Sequence, residues 1–503
     1  MRIHSESAGL AGASTHRNRS RRVAWAALVA IFCVSPAMPC PTFAAEASPA
    51  AKPPNIVFIL IDDMGWADVG CFGSSLHETP HIDSLATGGM KFTAGYAACP
   101  VCSPTRASIM TGKYPARLQL TNFLKGKRAL KGSPILPALY ADQLDLEELT
   151  LAEVLKSAGY ATCHVGKWHL GGESFLPQYQ GFDVNIGGSH RGMPRSFFWP
   201  RWKDNPPVVG NFDGEYLPDR LSQEACKFIQ AHRKGPFFLY LAHYAVHIPI
   251  EGKADKVAKY QKKLKDNPPP KGRQNNPHYA AMVESVDESV GRVLNTLKRL
   301  KLDENTVVVF FSDNGGLSTP EGKNTPATVN APMRAGKGYL YEGGIREPCL
   351  IRWPGVTKPG AVCDEPVCSV DFFPTLCAAA GLDPRQVKTR GPIDGVSLTP
   401  LLRNAKAKLP PRALYWHYPH FSNQGGRPGG AVRQGDWKLI ERYERGDLEL
   451  YNLKNDVSET NNLAAKMPEK SRQMQEMLAA WRKDVRANMP RKNPQYREKE
   501  PTP

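Results

Sequence analysis

The feature that most constrains the fold of this chain is a set of long apolar runs in which polar and apolar residues do not alternate. The runs cover residues 55–61, 161–165, 237–242 and 306–311. Continuous runs of this kind are typical of strands that are covered on both faces, as in a parallel sheet. Patterns of helical period lie between them, at 151–157, 222–232 and 279–300. The alternation predicts an α/β fold with a large, mostly parallel sheet flanked by helices.

Each apolar run leads directly into polar residues that can bind ions or move protons. In chain order these residues are Asp62 with Asp63, Lys167 with His169, His243 with His247, and Asp313 with Asn314. The carboxyl ends of parallel strands meet at one edge of a sheet, and ligands bind beyond that edge. We therefore expect the four groups to converge.

Two of these groups form a candidate metal site, because Asp62, Asp63, Asp313 and Asn314 offer only oxygen ligands. Adjacent carboxylates after a buried strand are costly unless a cation compensates them. Hard oxygen ligands select Ca²⁺ or Mg²⁺ over Zn²⁺, and a larger, flexible site favours Ca²⁺. An Asx-rich turn would account for residues 313–315 alone, but it explains Asp62 and Asp63 poorly.

A second candidate centre is the segment Cys102-Ser103-Pro104-Thr105-Arg106. Proline suits the first turn of a helix and Gly112 suits the position after its end, so the segment predicts a short helix. Cys102 then lies at the helix N-terminus, where free N–H groups and the helix dipole favour an anion. Arg106 adds a positive charge one turn along. The simpler alternative is a buried cysteine in front of a proline-initiated helix.

These segments together resemble the type I sulfatase family over nearly the whole chain after residue 53. The matching motifs are residues 54–57 with 62–65, 102–106 with 111–113, 166–171, His247 in 243–249, 312–315, and 334–346. The resemblance implies an alkaline phosphatase-like catalytic domain. It also implies that a formylglycine-generating enzyme converts Cys102 to formylglycine. One Ca²⁺ would be held by Asp62, Asp63, Asp313, Asn314 and the modified residue 102.

The resemblance further implies roles for the polar residues in hydrolysis of a sulfate monoester. One hydroxyl of the hydrated aldehyde at Cys102 would attack sulfur and lose its proton to Asp63 or to a metal-bound neighbour, and Arg106 would anchor the hydrate. Lys167, Lys337 and the cation would hold the sulfate oxygens. His247 would protonate the leaving alcohol, and His169 would take a proton from the second hydroxyl of the hydrate to release sulfate.

Composition changes along the chain predict four segments. Residues 1–44 resemble a secretory signal, because arginines precede an apolar run at 23–34 and small residues lead up to Ala44. Residues 53–408 form the predicted catalytic domain, and 409–485 a small domain of antiparallel strands with a closing helix. Residues 486–503 are predicted to be a disordered polar tail. Pairing of Cys363 with Cys368, or of Cys99 with another cysteine, stays open.

The predicted secretory signal and the net charge together indicate where the protein acts and which partners it binds. The apolar run at 23–34 is too short to span a bilayer, and no later run is longer, so we predict an exported bacterial protein, periplasmic or extracellular. The formal net charge of +17 favours anionic partners. No basic stripe with interleaved aromatic residues and no zinc-finger spacing is present, which argues against nucleic acid. A sulfated saccharide is the predicted substrate.

Loop residues outside the motifs are candidates for binding the sugar. We predict this role for Ser189, His190, Arg191 and Trp199, with Arg195, His417, His420 and Arg427 as further candidates. The overall similarity favours a galactose or N-acetylgalactosamine sulfate. Two other functions stay open: a phosphodiesterase or phosphonate monoester hydrolase that uses the same site, and a non-catalytic binder of sulfated glycan.

Overall fold

The computed structural model describes residues 52–126, 130 and 132–497. The predicted secretory signal at 1–44 lies outside these residues. The strands are β1 Asn55–Ile61, β2 Met90–Tyr96, β3 Ile135–Leu136, β4 Ala161–Gly166, β5 Val184–Ile186, β6 Phe237–Ala242, β7 Thr306–Ser312, β8 Arg346–Arg352, β9 Ala361–Cys363, β10 Val367–Cys368, β11 Ala413–Tyr418, β12 Gly429–Gln434, β13 Trp437–Arg442, β14 Leu448–Asn452 and β15 Arg491–Lys492. The helices are α1 Pro80–Thr87, α2 Cys102–Thr111, α3 Leu151–Ser157, α4 Leu217–Ala231, α5 Ala254–Asp266, α6 Pro277–Arg299, α7 Glu342–Ile345, α8 Phe372–Ala379, α9 Thr399–Arg403 and α10 Pro468–Asp484.

The large sheet has the strand order β10-β2-β8-β7-β1-β6-β4-β5, and β9 also pairs with β2. The central strands β7, β1, β6, β4 and β5 pair in parallel. Strand β8 runs antiparallel to both β7 and β2, so the sheet is mixed. The predicted α/β class with a mostly parallel sheet is confirmed.

Strand β1 demonstrates why the apolar runs do not alternate. Ile56, Phe58 and Leu60 pack into the hydrophobic cluster on one face of the sheet. Val57, Ile59 and Ile61 pack into a separate cluster on the other face. Every residue of the strand is buried, and helices cover both faces. Both sets of side chains therefore contribute hydrophobic stabilisation, and a polar residue at any of these positions would lack water on either side.

The second sheet is antiparallel and has the order β11-β12-β13-β14, with α10 packed against β12 and β13. Its strands pair in register from Ala413 with Gln434 to Glu441 with Leu448. This agrees with the predicted strands and closing helix. A shared apolar cluster joins this sheet to the end of β2 and to the segment before α2.

The prediction of a disordered tail after residue 485 is wrong for part of that segment. Arg491 and Lys492 form β15 and pair with Leu136 and Ile135 of β3. The polar composition of the tail concealed this pairing, because it depends on a distant loop and not on a local apolar pattern.

Two further predictions concern cysteines and membranes. The nine cysteines of the described residues, Cys363 and Cys368 among them, are all free thiols. Within the same part of the chain, no helix combines the length and the apolarity that a bilayer crossing requires.

Candidate active site

The polar residues after the four central strands meet at one edge of the large sheet, and we call this region the polar edge. Backbone hydrogen bonds continue the sheet past the strand ends. Asp313 N–H donates to Ile61 O at 3.0 Å, and Lys167 N–H donates to Ala242 O at 2.7 Å. Gly166 makes the second contact possible, because a Cβ there would lie 1.9 Å from Ala242 O. The convergence predicted from the sequence is present.

Helix α2 delivers Cys102 to the polar edge. The helix begins at Cys102 and ends at Gly112, whose φ of 70° is the left-handed conformation that glycine adopts most readily. Cys102 is 3% exposed, and its Sγ lies 3.3 Å from Nδ1 of His169. Burial raises the pKa of the thiol, so a cysteine at this position is protonated at neutral pH. The site therefore gives an unmodified thiol little activation.

Three carboxylates at the polar edge face three cations, and all six side chains are buried. Lys167 Nζ donates to Asp62 Oδ2 at 2.5 Å, and Lys337 Nζ donates to Asp63 Oδ2 at 2.7 Å. The third pair is Arg106 with Asp313, at 2.8 Å from Nε to Oδ2. Buried charges are tolerated where they are paired in this way, so the protein chain alone brings the polar edge close to neutrality.

Some oxygen atoms in this cluster have no hydrogen-bond donor. Oδ1 of Asp62 and Oδ1 of Asn314 are both buried and unpartnered. Ligand atoms of Asp62, Asp63 and His247 lie within 4.8 Å of one another. Buried acceptors without donors are rare in folded proteins and carry a desolvation penalty. A divalent cation with oxygen ligands would remove that penalty, so the residues present fit a metal site.

Local charge sets the protonation of Asp63 and His247. Burial alone would raise the pKa of Asp63, but Lys337 and His247 outweigh it and lower the pKa to about 2. Burial, with Lys337 beside it, lowers the pKa of His247 to about 3. Nδ1 of His247 lies 2.9 Å from the carbonyl oxygen of Ile248. A carbonyl only accepts, so this nitrogen carries the proton and Nε2 of the neutral ring is a bare acceptor.

Arg106 has partners that the sequence did not predict. Besides Asp313, its Nη1 donates to the carbonyl oxygen of Lys167 at 2.7 Å. The guanidinium thus ties helix α2 to the loops after β7 and β4. It holds Asp313 and Lys167 in place, while its contact with the group at residue 102 stays a prediction.

Sequence reasoning missed a hydrogen-bond network behind Asp63. The Tyr279 hydroxyl lies 2.7 Å from Asp68 Oδ2 and 3.2 Å from the carbonyl oxygen of Asp63. Asp68 also accepts from Gly65 N–H at 2.8 Å and from the Thr328 hydroxyl at 2.5 Å. Asp63 has φ of 61°, a conformation that non-glycine residues adopt only when held. No local motif relates these positions, which are up to 260 residues apart.

A cavity of about 670 Å³ opens from His169 to the surface. Predicted sugar-binding residues His190, Arg191 and Arg195 line it. The loop that carries them lies directly on the catalytic histidine candidate: Ser189 O accepts from His169 N–H at 3.0 Å, and a Cβ on Gly192 would lie 2.5 Å from the His169 ring. The structure therefore brings Ser189, His190, Arg191 and Arg195 to the mouth of the polar edge.

Four other candidates do not line this cavity. Trp199 packs against Trp202, with ring centroids 5.4 Å apart. His417 is buried between Tyr443 Oη and Asn488 O, and His420 is buried against Thr121 Oγ1. Arg427 pairs with Glu444 at a different cavity. Trp199 and the two histidines were expected in open loops, but neighbouring aromatic and polar groups cover them.

His243 also differs from the other strand-end residues. Its Nε2 lies 2.9 Å from the Ser289 hydroxyl of α6, and the ring is buried away from the polar edge. Of the two histidines after β6, His243 thus anchors helix α6. His247 is the one that reaches Asp63, at 3.6 Å from Nε2 to Oδ2.

Comparisons with known proteins agree with this geometry. Residues 54–382 match the family model described as Sulfatase, and residues 335–486 match the one described as N-sulphoglucosamine sulphohydrolase, C-terminal. A sulfatase of Formosa agariphila is 33% identical over 86% of this chain and 89% of its own length. The N-acetylgalactosamine-6-sulfatase of Homo sapiens is 35% identical over 74% of this chain and 69% of its own length.

One solved structure, the crystal structure of Ps i-CgsB in complex with k-i-k-neocarrahexaose, superposes with a TM-score of 0.70. Its sequence is 30% identical, and the match covers 86% of this chain and 93% of that one. The family model alone spans more than half of the sequence, and the residues it spans include every member of the polar edge. The chain therefore belongs to the sulfatase family: it is a type I sulfatase of the alkaline phosphatase superfamily, and its reaction class is that of the sulfuric ester hydrolases.

Proposed function

We propose that this protein is an exported bacterial sulfatase that hydrolyses sulfate monoesters of saccharides, using a formylglycine derived from Cys102 and one Ca²⁺. The observation that carries the proposal is the placement of Cys102 Sγ 3.3 Å from His169 Nδ1, at an edge where three carboxylates and three cations converge. The overall reaction adds water across the S–O bond and yields an alcohol and sulfate.

The metal would be held by Asp62, Asp63, Asp313 and Asn314 together with residue 102. Unpartnered oxygens on Asp62 and Asn314 support this set, and an oxygen-rich set favours Ca²⁺. When bound, the cation supplies charge that polarises sulfate oxygens, and the formylglycine hydrate supplies one hydroxyl as nucleophile and a second for release of sulfate.

His169 is the base for the group at residue 102. Its Nδ1 faces that side chain, and burial together with the Lys167 and Arg106 charges holds its pKa well below the usual range. A neutral imidazole at rest can accept a proton from a hydroxyl at position 102. The backbone N–H of His169 donates to Ser189 O, which holds the main chain of this residue beside the loop that lines the cavity. A positioned neutral imidazole of this kind can act as a general base.

Lys167 and Lys337 bind the sulfate oxygens. Both ammonium groups lie on buried carboxylates. Burial alone would lower the pKa of Lys337, but the Asp63 carboxylate outweighs it and raises that pKa above its usual value. Lys337 therefore stays charged at neutral pH. Arranged donors in a site without bulk water stabilise negative charge more strongly than water does, which lowers the barrier for transfer at sulfur.

His247 protonates the leaving oxygen only after substrate has bound. In the free protein its Nε2 is a bare acceptor with a pKa of about 3. A bound sulfate ester would offset the charge of Lys337, which now lowers that pKa, and would favour uptake of a proton. The histidine can then donate to the departing alcohol.

Three observations support a saccharide substrate from outside the cell. The relatives include an N-acetylgalactosamine-6-sulfatase and a structure in complex with neocarrahexaose. The cavity beside His169 is lined by arginine and histidine side chains suited to hydroxyl and anionic groups. The sequence carries a candidate export signal in residues 1–44 and a net charge of +17.

Sulfate release from a panel of sulfated sugars tests the proposal. We expect turnover of a galactose or N-acetylgalactosamine sulfate, and mass spectrometry of the exported protein should reveal loss of the Cys102 sulfur. Activity confined to aryl sulfates would contradict the saccharide assignment. Preference for aryl phosphate diesters or phosphonate monoesters would favour the alternative hydrolase, and an unconverted Cys102 with sugar binding but no turnover would favour a glycan binder.

A further inference from the structure

The cavity that opens from His169 continues into a second cavity of similar size. The second one encloses about 650 Å³ and shares Lys125 and Asp142 with the first. A cleft therefore runs outward from the polar edge, past Lys125, to the segment that includes Leu139. The first cavity already holds the position for a sugar that carries the scissile sulfate, so the second lies where a neighbouring sugar would extend.

Arg491 from the C-terminal segment lies at the far end of this cleft. The segment is fixed on both sides of Arg491. Asn493 N–H donates to Pro134 O at 2.9 Å, and its Nδ2 donates to Ser133 O at 2.8 Å. Asn488 Nδ2 donates to Leu139 O at 3.1 Å. With the β15–β3 pairing, these bonds place an arginine that sequence alone would leave in a disordered tail.

Among the described residues, four lysine and arginine side chains line the cleft against two acidic ones. Within the part of the chain that the structure describes, no carboxylate makes an ion pair with Lys125, Arg191, Arg195 or Arg491. Elsewhere on the surface, lysines such as Lys259 pair with glutamates. Burial, Arg191 and Lys125 together lower the pKa of His190 against the opposite effect of Glu173, so both cations lie near this neutral ring. Asp142 and Glu173 are the acidic residues of the first cavity.

The wall of the second cavity is apolar. Leu136, Pro137, Ala138, Leu139 and Tyr140 line it, and Leu139 is 68% exposed. A pocket with an apolar wall and a few convergent polar groups suits a sugar ring, whose C–H face packs on the wall while its polar groups meet the cations.

We propose that the C-terminal segment 488–493 completes a second sugar-binding subsite, where Arg491 and Lys125 bind an anionic group on the sugar next to the one that carries the scissile sulfate. The inference rests on the proposed function and names a substrate class within it: an acidic oligosaccharide with a carboxylate or a second sulfate on the neighbouring sugar. A charge-assisted hydrogen bond from an arginine fork suits either group.

The test compares a monosaccharide with an oligosaccharide of the same terminal sugar. The probes are N-acetylgalactosamine 6-sulfate against a chondroitin 6-sulfate tetrasaccharide that ends in it, and the corresponding sulfated galactose against a carrageenan tetrasaccharide. In the series that is turned over, we expect a kcat/KM about tenfold higher for the tetrasaccharide. The advantage should shrink as salt is raised.

Arg491→Ala should lower kcat/KM for the tetrasaccharide about fivefold to tenfold and leave the monosaccharide unchanged. Lys492→Ala is the matched control, because Lys492 is exposed in the same strand and does not line the cleft. Arg491→Glu should lower the tetrasaccharide value further, and thermal unfolding of each variant checks the fold. Lys125→Ala should also lower the tetrasaccharide value, and because Lys125 lines the first cavity as well, its monosaccharide value should fall too.

Several outcomes would overturn the subsite. These are no advantage of length in the wild type, an equal loss on both substrates in Arg491→Ala, or an equal loss in Lys492→Ala. Each of them leaves the proposed function standing, because the monosaccharide is still hydrolysed. Turnover of an aryl sulfate with neither saccharide series would contradict the saccharide substrate and the subsite together, whereas no sulfate release from any probe would contradict the proposed function itself.

Discussion

The polar edge of the large sheet and the junction between the two sheets are both buried and both rich in charge. At the junction, Lys438 Nζ lies 2.9 Å from Glu342 Oε1 and 2.9 Å from Glu459 Oε1, and all three side chains are fully buried. The Tyr96 hydroxyl donates to the second oxygen of Glu342 at 2.6 Å, and Glu342 N–H donates to Glu459 Oε2 at 2.7 Å. Three of the four carboxylate oxygens of the junction thus accept a hydrogen bond. The fourth, Glu459 Oε1, accepts none, but the Lys438 ammonium neutralises it as an ion-pair partner at 2.9 Å.

The polar edge leaves oxygens of Asp62 and Asn314 without donors, although its cations are equally close. The difference separates a structural ion cluster from a site prepared for a ligand. Buried charge alone indicates neither role, because both regions have it. Unpartnered acceptors beside a cavity that reaches solvent distinguish the polar edge, and they lead to the expectation that only this region depends on a metal.

The largest expected effect is the loss of activity in Cys102→Ala. The variant removes the group that becomes the nucleophile, so sulfate release should fall more than about 10³-fold. Its free energy of unfolding should change by no more than about 1 kcal/mol, because the substitution is small. Sulfate release and thermal unfolding measure the two. Substantial turnover by this variant would mean that the chemistry does not involve residue 102.

Removal of metal should have the next largest effect. Without a cation, the unpartnered oxygens of the polar edge keep their desolvation penalty, so a chelator should lower both activity and melting temperature. Ca²⁺ should restore both better than Zn²⁺. Scanning calorimetry with and without chelator, alongside a sulfate assay, measures the change, and full activity after exhaustive chelation would exclude the metal from the mechanism.

Breaking the junction should affect stability and not metal dependence. Lys438→Met leaves Glu342 and Glu459 buried without their shared cation, and loss of one partner of a buried ion cluster costs about 3–5 kcal/mol. Lys454→Met, at an exposed lysine beyond β14, is the matched control. Urea unfolding measures the difference. A drop in Ca²⁺ affinity as large as the drop in stability would mean that the two regions are not independent.

A smaller effect is expected for Tyr279→Phe. The variant removes the hydroxyl beside Asp68 and the Asp63 carbonyl, at a cost of about 1–2 kcal/mol in stability for the unpaired acceptors. Because the network holds the backbone of Asp63, Ca²⁺ affinity should also fall several-fold while KM changes little. Calcium titration separates this positioning role from a purely structural one, which would leave the affinity unchanged.

Much of the polar edge could be predicted from the sequence, because each of its strand-end residues directly follows a recognisable apolar run. Strands β1 and β6 have the predicted bounds because a run buried on both faces is apolar throughout and ends where polar chemistry starts. The Tyr279 network and the Glu342–Lys438–Glu459 junction could not be predicted in this way. Their members come from distant segments and are related only by the folded backbone.

The predicted sugar-binding residues differ in the same way: those close to a strand end of the large sheet reach the cavity, and the others do not. His190, Arg191 and Arg195 reach the cavity because they closely follow a strand of the large sheet, β5, whose end lies near the polar edge. Trp199 and His417 do not, since burial against Trp202 and Tyr443 is more favourable for these rings than exposure to water. The position of Arg491 could not be predicted, because a polar tail gives no local pattern for a two-residue strand.

The most direct measurement for the contrast between the two regions is the calcium content of the purified protein, combined with sulfate release. Elemental analysis should give one Ca²⁺ per chain in the wild type and in Lys438→Met, and none in the double variant Asp62→Asn, Asp63→Asn, which should also release no sulfate. A chelator-stripped wild-type protein that binds no divalent cation and still releases sulfate from a sulfated saccharide would contradict the account.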